Sequence, residues 1–560
     1  MTRPLDRVPR SRRARRGLGQ LAALAALVAA ALAFAAPPAA AAPRAKTAKR
    51  PAAPRVQPID PDTLPPQPLE NAAALAPFFA ALERLEAESA AGAPRSVVRV
   101  LHFGDSHVAA DYWTGEMRTR LQRRFGDAGT GYVMPGKPWR FFRHARAKTL
   151  GAGWETVGLG KTPCDGLLGL SQTAVRPTKR RGWAGASSEG AFFEVQAASD
   201  GGRGCLSLFV DDKLLFSGPI GGGTLFVDPA GAVTVPLPEE TSETTPADAP
   251  PADGTALPAP SPNTLAPPVD GTALPAPPAG APEGAADARR GASETTSAPP
   301  AAPVGAAAAT AEAPAVGDGP RPPEDEAAAA LGVAFLRNRA PLGDGPHKIA
   351  VAADCGEPAR LLGIDFRSER GGVLYDTLGI NGASIHFLDH WRSDARALLL
   401  RHADPKLIVV SYGTNDMGDK DFVFADYRAL VVRLLGAVRR DVPGAAVLVT
   451  GPIDRGAARR RAFGFKPENQ ELVVRALREA ALETGCAFWD ARAAVGGPGA
   501  AERWAAAKLA QGDRVHLTEA GYAKLAEMLA RAVFAAYDAR RGPAPDSEGV
   551  RGEAAPATIE

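Results

Sequence analysis

The chain has few cysteines, and their spacing argues against a zinc-binding site. Of its 560 residues four are cysteine, and none of them stands in the short pairs that bind zinc. An oxidising compartment would allow one or two disulfides. Cys205 and Cys355 are the preferred pair, because both lie in strand-like segments of one region, while buried free thiols are the alternative.

A strong net charge is also absent. The chain carries +3 in total, and residues 1–42 contribute seven arginines and one aspartate, so the remainder carries −3. A nearly neutral chain gives no electrostatic reason to expect nucleic acid as a partner.

Long apolar runs are missing everywhere except near the start. There the arginine-rich residues 3–16 precede the apolar run "LGQLAALAALVAAALAFAA" and the small residues "PPAAAA". This order predicts a secretory signal peptide over 1–42, cleaved near 40–42. An uncleaved anchor is the alternative, for which the run is barely long enough. We therefore expect an exported protein, in the periplasm or cell envelope or secreted, with no integral membrane domain apart from the signal segment.

Three segments have a composition that cannot bury enough apolar surface to fold. They are a Pro/Ala-rich linker over 43–68, a Pro/Ala/Thr/Gly-rich tract over 237–325 that repeats "DGTALPAP", and a tail over 541–560. All three are predicted to be disordered.

Short apolar runs alternate with amphipathic helices from about residue 406 onward. The runs are "KLIVVSYG", "AAVLVTGP" and "CAFWDA", and the predicted helices cover about 422–440, 467–484 and the residues from 519. Such alternation predicts an α/β fold, a parallel sheet covered by helices on both faces. "VVRVLHFGD" and a helix over about 111–125 form its first unit, so the domain has two parts, 69–154 and 371–540.

The intervening residues 155–370 have a different pattern. "CLSLFVDDKLLFSG" places two apolar runs around a polar turn, which is typical of a hairpin, and further strand-like runs follow. We predict an antiparallel β-sandwich inserted into the α/β domain, with 237–325 as one of its loops.

Residues suited to acyl transfer follow the predicted strands. Ser106 ends the first strand, Gly382 follows the inserted module, and Asn415 follows the strand near 406–412. A serine needs a base to take its proton and donors for the oxyanion of the intermediate. Asp513 stands three residues before His516, a spacing that lets the carboxylate hold the imidazole Nδ1. Reacting groups collect at the carboxyl ends of parallel strands.

These segments, in this order, resemble the SGNH (GDSL-type) serine hydrolase family over roughly 95–150 and 375–540. The matching motifs are "GDS" at 104–106, a single glycine at 382, "GTND" at 413–416 and "DRVH" at 513–516. The resemblance implies a three-layer α/β/α fold that needs no metal or cofactor. It implies Ser106 as nucleophile, His516 as general base and Asp513 as its orienting partner. The implied oxyanion hole comprises the backbone N–H groups of Ser106 and Gly382 and the side chain of Asn415.

One departure from the family pattern indicates a particular group within the family. Where the family often has an apolar residue after "GDS", this chain has His107, and the surrounding sequence is similar to envelope peptidoglycan O-acetylesterases, which carry a carbohydrate-binding-like β-module between the first two motifs. The implied function is removal of O-acetyl groups from a polysaccharide, peptidoglycan by resemblance. A lipase, thioesterase or O-acetyltransferase of the same fold is an alternative. A non-catalytic glycan-binding protein is another, which the intact motifs disfavour.

Other residues near these motifs have a more ordinary interpretation. His107 is expected to be a structural hydrogen-bonding residue more than a substrate ligand, and Asp105 to brace the turn. Four aromatic residues could stack on a sugar face, although core packing is the commoner role for most of them: Trp113, Tyr132, Trp139 and Phe141.

Overall fold

The computed structural model describes residues 56–159, 164–179, 181–199, 204–229, 233–234, 322–343, 345–456 and 467–541. The predicted signal peptide lies outside these residues. So do the first part of the 43–68 linker, nearly all of the 237–325 tract, and the tail beyond 541.

The strands in this part of the chain are, in order, β1 (Val97–Gly104), β2 (Gly131–Val133), β3 (Ala147–Ala152), β4 (Trp154–Val157), β5 (Ala174–Pro177), β6 (Trp183–Glu189), β7 (Phe192–Ala198), β8 (Gly204–Val210), β9 (Lys213–Pro219), β10 (Gly223–Val227), β11 (Val233–Thr234), β12 (Val333–Asn338), β13 (Pro346–Ala352), β14 (Glu357–Pro358), β15 (Arg360–Arg367), β16 (Gly372–Gly379), β17 (Pro405–Ser411), β18 (Ala446–Thr450) and β19 (Ala487–Trp489).

The α-helices are α1 (Ala76–Ala90), α2 (Ser106–Ala109), α3 (Trp113–Phe125), α4 (Pro322–Leu331), α5 (Ser393–Ala403), α6 (Phe424–Asp441), α7 (Pro467–Glu483), α8 (Ala491–Ala494), α9 (Ala500–Ala506) and α10 (Glu519–Arg541). Short 3-10 helices occupy Pro61–Thr63, Ala72–Leu75, Ile385–Asp389 and Asp416–Gly418. Across the described residues, none of the helices combines the length and the apolar character that a bilayer span requires.

A five-stranded parallel sheet in the order β16–β1–β17–β18–β19 forms the centre of the α/β part. Side chains of β1 alternate between its faces, as the period of a strand requires. Val98 and Val100 pack with α1, α3 and α10, whereas Leu101 and Phe103 pack with α5, α6 and α7. The predicted three-layer α/β/α arrangement is therefore confirmed.

Two seven-stranded sheets form the inserted module, and they share one apolar core. Most neighbouring strands are antiparallel, as predicted, but β10 pairs with β12 and β8 with β14 in parallel. A parallel pair needs a crossover connection, and between β10 and β12 the chain passes through α4, which packs on both strands. The preferred cysteine pair is present, as the disulfide Cys205–Cys355.

The sandwich includes strands that precede residue 155, where the sequence placed its start. β3 pairs with β6 over Ala147–Ala152, and β2 pairs with β15. β3 is a half-exposed strand at the edge of its sheet. Such a strand contains few apolar residues, so its sequence alone does not distinguish it from a loop.

Some residues predicted to be disordered are ordered. Residues 322–325 begin α4, where Asp325 accepts hydrogen bonds from the backbone and side chain of Thr224 at 3.0 Å each. In the predicted linker, the Gln67 carbonyl accepts a hydrogen bond from the indole of Trp489 at 3.1 Å. Both contacts join residues far apart in the sequence, which composition alone does not reveal.

A buried ion cluster joins the parallel sheet to the sandwich. Arg99 of β1 donates to Asp376 of β16 at 2.6 Å and to Asp365 of β15 at 2.7 Å. The second oxygen of Asp376 accepts the backbone N–H of Tyr132 in β2 at 2.8 Å. Because breaking one partner of a buried ion pair is costly, this cluster fixes the module against the sheet.

Candidate active site

The serine lies where β1 gives way to α2. Gly104 has no room for a side chain, because an added Cβ would meet Val108 and would lie 2.7 Å from the Ser411 carbonyl oxygen. Asp105 then caps α2, its carboxylate accepting the His107 backbone N–H at 2.9 Å. Ser106 is thus the first residue of α2, where backbone N–H groups are not used by the helix itself.

Three side chains predicted to act together form a hydrogen-bonded series. The Ser106 Oγ lies 2.8 Å from the His516 Nε2, although 410 residues separate them in the sequence. The His516 Nδ1 lies 2.7 Å from one carboxylate oxygen of Asp513. The other oxygen accepts the backbone N–H groups of Val515 and His516, each at 3.0 Å. This is the geometry that a serine nucleophile, a base and an orienting carboxylate require.

The turn that carries Asp513 and His516 is fixed by backbone hydrogen bonds. Gln511 donates to the His516 carbonyl at 2.8 Å, and Gly456 donates to the Arg514 carbonyl at 2.8 Å. Arg514 adopts a left-handed conformation with φ of 60°. The carboxylate and imidazole are therefore placed before any substrate arrives.

The electrostatics keep Asp513 ionised. Burial alone would raise the pKa of Asp513, but the hydrogen bond and charge of His516 and the two backbone donors outweigh it and hold that pKa below its usual range. The ionised carboxylate stabilises a positive charge on His516, which is needed once the imidazole has taken the serine proton.

The predicted oxyanion donors lie on neighbouring loops. The Asn415 amide donates one hydrogen to the Ala383 carbonyl at 2.7 Å, which leaves its second N–H for a ligand. Gly382 has φ of 81°, with nothing within 4 Å of an added Cβ, so its conformation is what favours glycine there. Nearby Gly379 has a different role, since an added Cβ would meet the backbone of α2 at Val108 and Ala109.

Two buried carboxyl groups support these loops. Burial raises the pKa of Asp105 to about 6, although the His107 N–H and Thr414 partly oppose it. Burial likewise raises the pKa of Asp416 to about 7, and this carboxylate accepts the Ile385 N–H at 3.3 Å. Asp105 therefore braces the serine turn, as the sequence predicted, and Asp416 ties the loop containing Gly382 to the one containing Asn415.

His107 lies beside the hydrogen-bonded series Ser106–His516–Asp513 without joining it. The side chain is 4% exposed, its Nδ1 lies 3.0 Å from the Tyr522 hydroxyl, and its ring centroid lies 5.5 Å from that of His516. Burial, followed by the charge of His516, lowers the pKa of His107 to about 3, so the ring is neutral at physiological pH. A buried structural role agrees with the expectation from sequence.

The structure adds two residues that the sequence did not single out. Tyr522, on α10, is hydrogen-bonded to His107, although 415 residues separate the two in the sequence. Arg455 donates to the Thr414 carbonyl at 3.0 Å, and its charge acts on both Asp513 and Asp105. Neither belongs to a short motif, so only the folded contacts identify them. Among the described residues no group of three potential metal ligands occurs.

Comparison with known proteins shows that part of this site is similar to a known family. Residues 352–524 match the model of the GDSL-like Lipase/Acylhydrolase family. The matched segment contains Gly382, Asn415, Asp513 and His516, and it is similar to hydrolases of the SGNH, or GDSL-type, superfamily. This similarity supports carboxylic ester hydrolysis as the chemistry of the site. No curated protein sequence matches the chain.

The fold is similar to that of a peptidoglycan O-acetylesterase. That alignment has 18% identity and a TM-score of 0.54, and covers 83% of this chain and 97% of the other. A lipase/acylhydrolase from Enterococcus faecalis aligns over 29% of this chain and 76% of its own, with 15% identity and a TM-score of 0.20. A GDSL-like lipase from Bacteroides thetaiotaomicron aligns over 29% and 76%, with 18% identity and a TM-score of 0.23.

Proposed function

We propose that the protein is an exported serine esterase of the SGNH type that removes O-acetyl groups from a polysaccharide, with peptidoglycan as the substrate. The observation that carries the proposal is the hydrogen-bonded series Ser106–His516–Asp513, with the predicted oxyanion donors on adjacent loops.

Acylation begins at Ser106. His516 takes the hydroxyl proton at Nε2 as Oγ forms a bond to the acetyl carbonyl carbon, and Asp513 stabilises the resulting imidazolium. The carbonyl oxygen becomes an oxyanion that accepts hydrogen bonds from the Ser106 and Gly382 N–H groups and from Asn415. The bond from the carbonyl carbon to the sugar oxygen then breaks, and His516 gives its proton to that oxygen.

Deacylation repeats these steps with water. His516 takes a proton from water as its oxygen attacks the acetyl-serine carbonyl, and the same donors hold the second oxyanion. Breaking the bond to the Ser106 Oγ releases acetate, and His516 returns the proton to the serine. An acetyltransferase would differ only at this stage, by admitting a sugar hydroxyl in place of water.

Two observations support the substrate and the location. The fold alignment spans 97% of a protein named as a peptidoglycan O-acetylesterase, so it extends beyond the hydrolase part. The disulfide Cys205–Cys355 is typical of an oxidising compartment, in agreement with the predicted signal peptide.

The test is acetate release by the protein lacking residues 1–42. O-acetylated peptidoglycan and acetylated glucomannan are offered separately, with and without a soluble chitooligosaccharide acceptor. We expect free acetate from peptidoglycan at a higher kcat/KM than from glucomannan. Acetate from neither polymer, with turnover of 4-nitrophenyl acetate intact, would contradict the polymer assignment. Acetyl groups found on the added acceptor in place of free acetate would identify a transferase.

A further inference from the structure

A basic and aromatic segment connects β2 to β3. We call residues 137–146, with the sequence KPWRFFRHAR, the basic loop. It contains four Lys or Arg residues and no acidic residue, and Phe141 is 48% exposed. Exposed positive charges and an exposed aromatic ring do not by themselves stabilise a loop, so their clustering here indicates a binding role.

The basic loop is attached to both segments that carry the predicted backbone oxyanion donors. The Trp139 indole N–H donates to the side-chain oxygen of Asn381 at 2.9 Å, directly before Gly382. At its other end the Ala145 backbone N–H donates to Asp111 at 2.7 Å, five residues after Ser106. Asp111 is itself buried and paired with Arg118. The loop therefore forms one wall beside the catalytic serine.

Three cations of the loop are exposed to a ligand, although Arg143 also donates a hydrogen bond to the Ala110 carbonyl at 3.4 Å. Arg146 pairs with Asp127 at 2.9 Å and serves the structure. Lys137, Arg140 and Arg143 are exposed, and none of them forms an ion pair with a residue in the described part of the chain. Stacking on aromatic rings orients the two arginines, Arg140 at 5.4 Å from the Phe141 ring and Arg143 at 4.3 Å from the Tyr112 ring.

A series of rings connects one of these cations to the general base. Tyr112, which lies under the Arg143 guanidinium, is parallel to Tyr522 at a centroid distance of 6.0 Å. The Tyr522 hydroxyl is hydrogen-bonded to His107, whose ring lies 5.5 Å from His516. The Arg143 guanidinium is thus linked to His516 through the three intervening rings of Tyr112, Tyr522 and His107.

We propose that the basic loop is a binding subsite for a glycan that carries carboxylates. Exposed guanidinium groups recognise carboxylates, and aromatic faces pack on sugar rings, so the loop offers both parts of an acidic saccharide a partner. The inference rests on the proposed esterase function and adds that the polymer is recognised by its negative charge. It thereby separates acidic from neutral acetylated glycans as substrates.

The variant Lys137→Gln/Arg140→Gln/Arg143→Gln tests it. A matched control, Arg84→Gln/Arg123→Gln/Arg440→Gln, removes the same charge from exposed positions on α1, α3 and α6. Rates are measured at low and high salt on O-acetylated peptidoglycan, acetylated glucomannan and 4-nitrophenyl acetate. We expect a KM about tenfold higher on peptidoglycan at low salt, converging with wild type at high salt, while the other substrates and the control are unchanged. Equal losses on all substrates, or no change on peptidoglycan, would overturn the proposal.

A binding assay separates this inference from the proposed function. Ser106→Ala protein is sedimented with insoluble peptidoglycan, with and without the three loop substitutions. Loop-dependent sedimentation supports the inference even if the wild type releases no acetate. Loop-independent sedimentation together with acetate release leaves the esterase function standing and rejects the subsite. Loop-dependent sedimentation with anionic lipid vesicles, and not with peptidoglycan, also rejects it.

Discussion

The Asn415 side chain donates a hydrogen bond of 2.7 Å to the Ala383 carbonyl. The side-chain donor of the proposed oxyanion hole is therefore fixed to the loop that presents the backbone donor, Gly382. Such a pair of donors is already aligned before the ester binds, and alignment before the reaction is what makes hydrogen bonds to a developing oxyanion effective.

Replacing Asn415 removes one oxyanion donor and the bond that holds the loop. We expect Asn415→Ala to lower kcat on 4-nitrophenyl acetate by about 10²–10³-fold, with a smaller change in KM. Steady-state kinetics measure this, and a thermal melt serves as the folding control. A kcat within threefold of wild type would exclude Asn415 from the oxyanion hole.

Asp513→Asn keeps the shape of the side chain but removes its charge and favours the wrong tautomer of His516. In a Ser-His-Asp hydrolase such a change costs on the order of 10³–10⁴ in kcat. We expect that loss here at pH 7, with near-native circular dichroism. A tenfold loss or less would mean that His516 is oriented by something other than Asp513.

Asp416 should make stability depend on pH. Its folded pKa is raised to about 7, above that of an unfolded aspartate, so its contribution to stability is full below about pH 4 and is lost as pH rises towards 7. Relative to wild type, Asp416→Asn should gain stability over that range, by at most about 1.4 kcal/mol per pH unit.

Thermal or urea unfolding from pH 4 to 8 measures the Asp416 effect. The matched control is Asp426→Asn, at an exposed position on α6, which should follow the wild-type curve. Parallel curves for Asp416→Asn and wild type would show that Asp416 ionises normally in the folded protein.

His107 is predicted to support the site through Tyr522 alone. Asn at position 107 can still accept a hydrogen bond from the Tyr522 hydroxyl. Phe removes the acceptor that His107 provides for the hydroxyl proton, and the Leu517 backbone N–H cannot replace it, at a cost of about 1–3 kcal/mol. We expect His107→Asn to keep kcat within about threefold and the wild-type pH–rate profile, and His107→Phe to lower the free energy of unfolding.

A double-mutant cycle with Tyr522→Phe isolates this interaction. The destabilisation by His107→Phe should largely disappear in the Tyr522→Phe background, because the unpaired hydroxyl is then absent. If His107→Asn instead shifts the pH–rate profile, His107 takes part in proton transfer and the structural assignment is wrong.

The disulfide should stabilise the sandwich without affecting the chemistry. It links residues 150 positions apart, and removing a native disulfide costs typically about 2–5 kcal/mol. We expect Cys205→Ser/Cys355→Ser to lower the melting temperature while kcat on 4-nitrophenyl acetate is kept. Cys164→Ser, at an exposed free thiol, is the control. A collapse of kcat with an unchanged melting temperature would contradict this division of roles.

Local sequence predicted the α/β part well, because its strands and helices carry their own signals. The runs at β17, β18 and β19 are buried almost throughout, and α6, α7 and α10 are amphipathic. Three of the motif residues, Ser106, His516 and Asp513, also form one hydrogen-bonded series, as expected for groups at the carboxyl ends of parallel strands.

The parts of the fold and site that the sequence did not predict depend on contacts between residues far apart in the chain. β16 was not predicted as a strand of the sheet, because its membership comes from pairing with β1, some 270 residues earlier. The same holds for Trp139 with Asn381 and for His107 with Tyr522, pairs separated by 242 and 415 residues. Such pairs fix the segments around the site, and they form only when the chain folds.

The most direct test of the account is to identify the residue that carries the acyl group. The protein is mixed with O-acetylated substrate, quenched in acid during turnover, digested and analysed by mass spectrometry, with Ser106→Ala in parallel. The account predicts one acetyl group on Ser106 of the wild type and neither label nor turnover in the variant. An acetyl group on another residue, or turnover by Ser106→Ala, would contradict it.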